Sequence, residues 1–261
     1  MTGRELLTAE RIYFVRSDGS DANDGLTDSP AGSFKTWARA TQATALLDFG
    51  GQPVTIQHGN EAAPVVFAEN IFIPSMTGGG SLHLKGSPTP GKTTIQAASP
   101  GDTTLWLYDT HIHVFLWQMG LEGGSVLADV SYNSTLALRD GVVFGAASFA
   151  HLFVHDAQSL LMDVTGHTTI TGSAPYHVLV NGGMAFVESN FIDLQNSPTF
   201  TAFFGAMNGA KIQCVRTTFT GAAHGLRFWA ITNSVIQTFD AGPTYLPGDQ
   251  PGTTDSGGQY V

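Results

Sequence analysis

Residues 133–157 read NSTLALRDGVVFGAASFAHLFVHDA, residues 158–182 read QSLLMDVTGHTTITGSAPYHVLVNG, and residues 183–207 read GMAFVESNFIDLQNSPTFTAFFGAM. Set beneath one another, the three segments share a layout. Asn133 aligns with Gln158 and Gly183, and the same step reaches Asn208 and Asn233. Four places on, the column holds Ala137, Met162, Val187 and Ile212, with Ile112 one step before. Five places before Asn133, it holds Ala128, Phe153, Val178, Phe203 and Phe228. The period, about 25 residues, falls in the range of about 20 to 50 that marks a solenoid or an array. Within each period the apolar residues alternate with a spacing of two, which is a strand signal. Three short strands, parted by Gly, Asn, Ser and Asp, fill each repeat. The pattern predicts an all-β chain wound as a parallel β-helix, one coil per period. It also predicts that Ile112, Met162, Val187 and Ile212 lie one above another.

The register is firm from Asp102 to Asp240, about six coils, or about 29 Å at about 4.8 Å per coil. Residues 52–101 read as irregular first coils, so the solenoid spans 52–240. Before it, residues 1–51 hold a strand from Ile12 to Arg16, an Asp- and Gly-rich loop, and a helix. The helix is expected over Ser33 to Phe49, with Ser33 as N-cap and Gly50-Gly51 as the stop. Phe34, Trp37, Ala38, Thr41, Ala45 and Leu46 fall near one face. Such a helix would cover the open edges and the apolar end of the first coil. The loop, SDGSDANDGLTDSPAG from Ser17 to Gly32, crowds Asp18, Asp21, Asp24 and Asp28 together. Asp18, Asp21 and Asp24 are its candidate calcium ligands, since hard cations want several oxygens. The spacing departs from the EF-hand pattern, and Asx-turns account for the same residues without a metal. Residues 241–261 form a Pro- and Gly-rich tail, read as an extended arm or a terminal cap.

Charge and composition narrow the partners. The formal net charge is −10, with only 11 lysines and arginines, so clustered phosphate contacts to nucleic acid are not expected. No run reaches the roughly 20 apolar residues of a membrane-spanning helix, and the first ten residues do not read as a secretory signal. Synthesis and release from the cytoplasm without N-terminal export is the expectation. The single cysteine, Cys214, rules out an intrachain disulfide and reads as a buried thiol. No cofactor motif occurs; neither a phosphate-binding loop nor a nucleophile elbow is present.

The repeat also assigns faces. If Phe153, Phe203 and Phe228 point inward, the next column, Asp129, Val154, Leu179, Phe204 and Trp229, points outward. On the following strand the outward column reads Leu136, Leu161, Phe186, Lys211 and Ile236. Apart from Asp129 and Lys211 these are apolar, and an apolar stripe along a rod implies contact between copies. Asp163 and Glu188 would stack on adjacent coils roughly 5 Å apart, within the range of a retaining glycosidase, or as two solvated acids. His111 and His113 alternate on one strand, a two-ligand zinc hint. His155 falls with Val130 and Val180 and reads as a core histidine. Trp106, Tyr132 and Tyr176 read as surface aromatics on which sugar rings could stack, while Trp229 reads as interface packing.

The run YFVRSDGSDANDGLTDSPAGSFKTWARA, residues 13–40, resembles the opening of right-handed parallel β-helix proteins of tailed-phage particles. Those proteins begin with a strand, a DGSDxNDG loop and an F-x-T-aromatic-x-x-A helix, matched here by Phe34, Thr36, Trp37 and Ala40. The tail from Gly242 to Gly248, GPTYLPG, resembles the ends of such fibres. The group includes tailspikes, tail fibres and spikes of phage-derived gene transfer particles. The resemblance implies a homotrimer, display on the particle surface, and contact with host surface polysaccharide. Docking to a separate base protein would fall to the N-terminal end. Some members cleave the polysaccharide and many only bind it; the expectation here is an adhesive spike, with a lyase or hydrolase as the alternative. No shared catalytic motif exists to be carried over.

Overall fold

The computed structural model describes residues 3–89, 91–164 and 166–261, with the backbone alone at Asp163 and Val164. The chain is a parallel β-solenoid of about eight turns, with about 26 residues per turn. Each full coil gives one strand to each of three long sheets of ten, seven and eight strands. One central coil runs through Thr135–Leu138, Val142–Phe144 and Ala150–Val154 before Leu160–Val164 opens the next.

Three ladders fill the interior. On the ten-stranded sheet Val54, Leu82, Val114, Leu136, Leu161, Ala185, Ile212 and Ile236 stand in register, all buried. Phe67, Ile95, Leu121, Phe144, Ile170 and Leu194 do the same on the seven-stranded sheet. The eight-stranded sheet contributes Ile73, Leu107, Val130, Val154, Val180, Ala206 and Ala230. Burying each such side chain is worth about 1.5–3 kcal/mol against exposure, the Ala rungs less. The coil turns between the eight- and ten-stranded sheets through left-handed backbone. Tyr132 and Asn133, Asn208 and Gly209, and Thr232 and Asn233 all have positive φ there. Asn adopts that conformation more readily than most residues, which is why the repeat shows it there.

The advance per coil is not constant. On the ten-stranded sheet, Thr135 pairs with Leu160, Leu160 with Met184, Met184 with Lys211, and Lys211 with Val235. The step from Leu160 to Met184 is one place shorter than the step from Thr135 to Leu160. The step from Met184 to Lys211 is two places longer than that first one, and the last is one place shorter again. The uniform step of the sequence is thus right as a mean and wrong coil by coil. Shifting a strand by one residue exchanges its faces, so a uniform step misplaces whole columns. Ile112, Met162, Val187 and Ile212 therefore do not share a ladder. Met162 pairs with Ala137 and Phe186, Val187 with Asp163 and Cys214, and Ile212 with Ala185 and Ile236. The residues expected on an outer stripe are redistributed: Val154 and Phe204 by the uneven step, and Leu136, Leu161 and Ile236, which keep the mean step, because their column faces inward. Leu136, Leu161, Ile236, Val154 and Phe204 have no exposed surface and belong to the core. Leu179 faces outward but is fully covered, packed over Gly205 beside the Tyr176 ring. Trp229 and Phe186 remain on the outside, half-buried.

Both ends are capped. The helix is Trp37–Thr44, shorter than expected, and its N-cap is Thr36, whose side chain accepts from Arg39 N. Two carboxylates fix that start. Asp21 Oδ1 accepts from Lys35 N and Thr36 N at 2.9 Å, and Glu69 accepts from Trp37 N and Ala38 N at 3.0 and 2.9 Å. The Ser33 hydroxyl instead donates to Thr27 O, and residues Leu47–Asp48 pair as a short strand with Glu5–Leu6. Trp37 and Phe34 bury completely over the first coil, whereas Leu46 points to solvent. The other loop carboxylates also have protein partners. Asp18 and Asp28 hold Arg16, and Asp24 Oδ1 accepts from Leu26 N at 3.0 Å. At the far end the tail makes the last partial coil. Thr253–Thr254 and Gln259–Tyr260 extend two of the sheets, and the Tyr260 ring stacks on Phe228 at 3.9 Å.

One polar pair lies inside the core. His151 and His177 are buried, with Nδ1 atoms 3.2 Å apart and with neither Nε2 partnered. Phe144 stacks against His151, and Phe203 against His177.

Candidate functional site

The outer side of the eight-stranded sheet carries an aromatic face. Its outward column runs Phe72, Trp106, Asp129, Phe153, Leu179, Gly205 and Trp229. Alternation along two strands creates it. Ile71 and Ile73 point inward and Phe72 outward; Leu105 and Leu107 point inward while Trp106 and Tyr108 point outward. Phe72, Trp106, Tyr108 and Tyr132 are 44, 39, 37 and 54 % exposed, so four large rings face water on three successive coils. They touch: Phe72 and Trp106 lie 5.3 Å apart, Trp106 and Tyr108 5.5 Å, and Tyr108 and Tyr132 4.5 Å, between ring centroids. The indole is held in place, because Trp106 Nε1 donates to Ser131 Oγ at 2.8 Å and Ser131 Oγ donates to Leu107 O.

Asp129 sits in the same column, between Trp106 and Phe153. It is buried, its Oδ1 has no hydrogen-bond partner, and its Oδ2 lies 3.7 Å from Nδ1 of His155. Burial pushes its carboxyl above the usual carboxylate range, against the opposing pull of His155 and Ser131. His155 is exposed and packs on Phe153 at 4.7 Å, so it is not a core residue. Farther along the face, Phe149 bridges Phe153 and Tyr176, and Tyr176 reaches toward Trp229. Gly205 lets the Tyr176 ring lie down, since a Cβ there would come within 2.9 Å of Tyr176 Cδ1.

A cavity of about 570 Å³ adjoins the exposed rings, lined by Tyr108, Asp109, His111, Tyr132, Asn133, Asp156, Ala157 and Gln158. Asp156 accepts from Tyr132 N, from Gln158 N at 3.0 Å and from Ser159 Oγ at 3.0 Å. His111 Nε2 lies 2.9 Å from Asp109 Oδ1, and Asn133 Nδ2 lies 3.1 Å from His111 Nδ1. His111 has positive φ and sits in a turn ahead of the strand that His113 opens. Among the described residues, no group of three or more His, Cys, Asp or Glu is gathered in a way that could hold a metal ion.

The structure thus joins Trp106 to Tyr132 through Tyr108, and places Tyr176 farther along the same sheet. Asp163 and Glu188 are not stacked: Glu188 is in register with Val164, and Asp163 with Val187. Glu188 accepts from Gln213 Nε2, while the side chain of Asp163 lies outside the described residues. Sequence reasoning missed Phe72, Tyr108, Phe153 and the role of Asp129. The alternation in Ile71-Phe72-Ile73 and in Leu105-Trp106-Leu107-Tyr108 was the available signal.

A second ring cluster occupies the outer side of the ten-stranded sheet. Arg139 lies 4.8 Å from the Phe115 ring, Lys85 lies 5.6 Å from the Trp117 ring, and His83 packs on Phe115 at 4.8 Å. Burial and then Lys85 lower the His83 pKa. This cluster is half-buried and basic, where the first face is exposed and acidic. Compared with family models, curated proteins and solved structures, the chain finds no match.

Proposed function

We propose that this chain is a glycan-binding β-solenoid on the surface of a phage or phage-like particle, attached through a separate base protein and adhering to host surface polysaccharide. The contact among Phe72, Trp106, Tyr108 and Tyr132 carries the binding part. Three coils at about 4.8 Å spacing set these rings over about 10 Å, the length of a disaccharide. A sugar ring has an apolar C–H face and a polar rim, which suits an aromatic platform bordered by Asn133, Asp156 and Gln158. An exposed apolar patch with a polar border is the usual mark of a binding surface. The particle-surface part rests on the opening strand, loop and helix motif.

Binding is tested by retention of the full-length protein on host capsule. Trp106→Ala and Tyr108→Ala are each expected to weaken retention about ten-fold. Unchanged retention in both variants would remove this reading. The same incubation is expected to release no new reducing ends; their appearance would replace the adhesive reading with a depolymerase.

We also propose that the chain associates as a trimer, through a stripe different from the one the uniform step predicts. Phe115, Met162 and Phe186 stand half-buried in an outward column of the ten-stranded sheet, with the covered Ala137 between the first two, apolar over four successive coils. Mass measurement in solution is expected to give three chains, and Phe186→Asp with Met162→Asp is expected to give one. A monomeric unmodified protein at micromolar concentration would end the proposal.

A further inference from the structure

Asp129 is 8 % exposed, and its Oδ1 meets no donor. Among the described residues, the basic group paired with it is His155, at 3.7 Å on an exposed ring. Asp109 and Asp156 line the adjoining cavity, and neither that lining nor the outward column from Phe72 to Trp229 contains a lysine or arginine. A carboxylate taken out of water without a firm counter-ion is costly to the fold, and a cation arriving from solution offsets that cost. The flanking rings favour the same kind of visitor, because an aromatic face attracts a cation. A sulfate, phosphate or uronate meets three acids instead, which selects against it.

Resting on the glycan-binding reading, we infer that the Trp106–Asp129–Phe153 column is a subsite for a sugar bearing a free, protonated amine. The ligand class is a polysaccharide with unacetylated hexosamine. The ammonium donates to the Asp129 carboxyl while the sugar ring rests on the Trp106 indole. N-acetylation removes the charge and adds bulk where the carboxyl needs a donor. Burial raises the affinity of the Asp129 carboxyl for a proton, and an ammonium supplies the positive charge in the proton's place.

The test is titration calorimetry of the full chain with three probes: a glucosamine pentamer, its fully N-acetylated counterpart, and an oligogalacturonate of equal length. The glucosamine oligomer is expected to bind about ten-fold more tightly than the acetylated one, and the advantage is expected to shrink as salt is raised. Asp129→Asn, of the same shape, is expected to abolish the advantage. Equal binding of the two oligomers overturns the amine assignment, as does tighter binding of the galacturonate or an advantage that survives Asp129→Asn. In those cases the glycan reading still stands. An advantage indifferent to salt overturns the assignment without use of any variant. Absence of binding by all three probes, together with Trp106→Ala leaving capsule retention unchanged, removes both readings.

Discussion

Leu161→Asp is expected to yield no folded protein, while Met162→Asp, one residue along the same strand, is expected to fold. Leu161 is fully buried in the inward ladder between Leu136 and Ala185. Truncating such a leucine to alanine costs about 2–5 kcal/mol. An aspartate at that position adds the burial of a carboxylate with no counter-ion nearby, a further penalty of several kcal/mol. The sum reaches the whole stability of an ordinary domain, about 5–15 kcal/mol. Met162 stands in the outward column, half-buried, where a carboxylate keeps its water. The faces assigned from the sequence pattern alone predict the reverse pair of outcomes. Soluble yield and the circular dichroism melt of the two variants decide between them. A folded Leu161→Asp would show that the inward ladder has been drawn one residue out of phase.

Acid is expected to unfold the protein through its core histidines. Burial holds the His151 ring down to about 3, and burial with the neighbouring His151 holds His177 well below its ordinary value. In the unfolded chain both rings take a proton near pH 6.5. Between pH 6.5 and about 3 the unfolded state therefore binds protons that folded His151 refuses, so stability falls as pH falls. At about 1.36 kcal/mol per pH unit the loss from His151 alone approaches about 5 kcal/mol. Above pH 6.5 the rings are neutral in both states and contribute no pH dependence. Urea midpoints taken from pH 7 to pH 4 are expected to drop steeply. The double variant His151→Leu with His177→Leu is expected to flatten that drop. At pH 7 it is expected to change stability little, because it removes two unpartnered ring nitrogens together with the one bond they share. A pH profile equally steep in the double variant would assign acid sensitivity to the carboxylates.

The repeat was legible because it is made by packing. Ladders such as Val114, Leu136 and Leu161 demand apolar residues at every coil, and the left-handed corner at Asn133, Asn208 and Asn233 demands a tolerant residue. Phase was not legible, because the extra or missing residues lie in the turns and in one bulge between Thr199 and Ala202, where no pattern marks them. Phe153 follows its partner Asp129 one place sooner than the mean step, and Leu179 follows Phe153 one place later. A constant step therefore sent Val154 and Phe204 outside and placed His155 inside. The exposed rings were partly legible: Trp106 and Tyr132 stand out as aromatics between short apolar runs. Their union with Phe72 and Tyr108 depends on the spacing of two earlier coils, which only the fold sets. The helix was overextended to Ser33 because its start is imposed by Asp21 and by Glu69, which is far from Trp37 along the chain, and to Phe49 because Leu47–Asp48 pairs as a strand with Glu5–Leu6. A distant carboxylate leaves no local mark in the sequence.

The bends between the sheets give the molecule a latitude that its strands lack. Coils of unequal length share one wall, because the surplus is absorbed where the chain bends. A gene that gains or loses a codon at such a bend reshapes one ledge and leaves the storeys above and below untouched. The same change within Leu160–Val164 would turn that strand inside out. A protein of this build can alter what it touches, ledge by ledge, while the shaft beneath stays as it was.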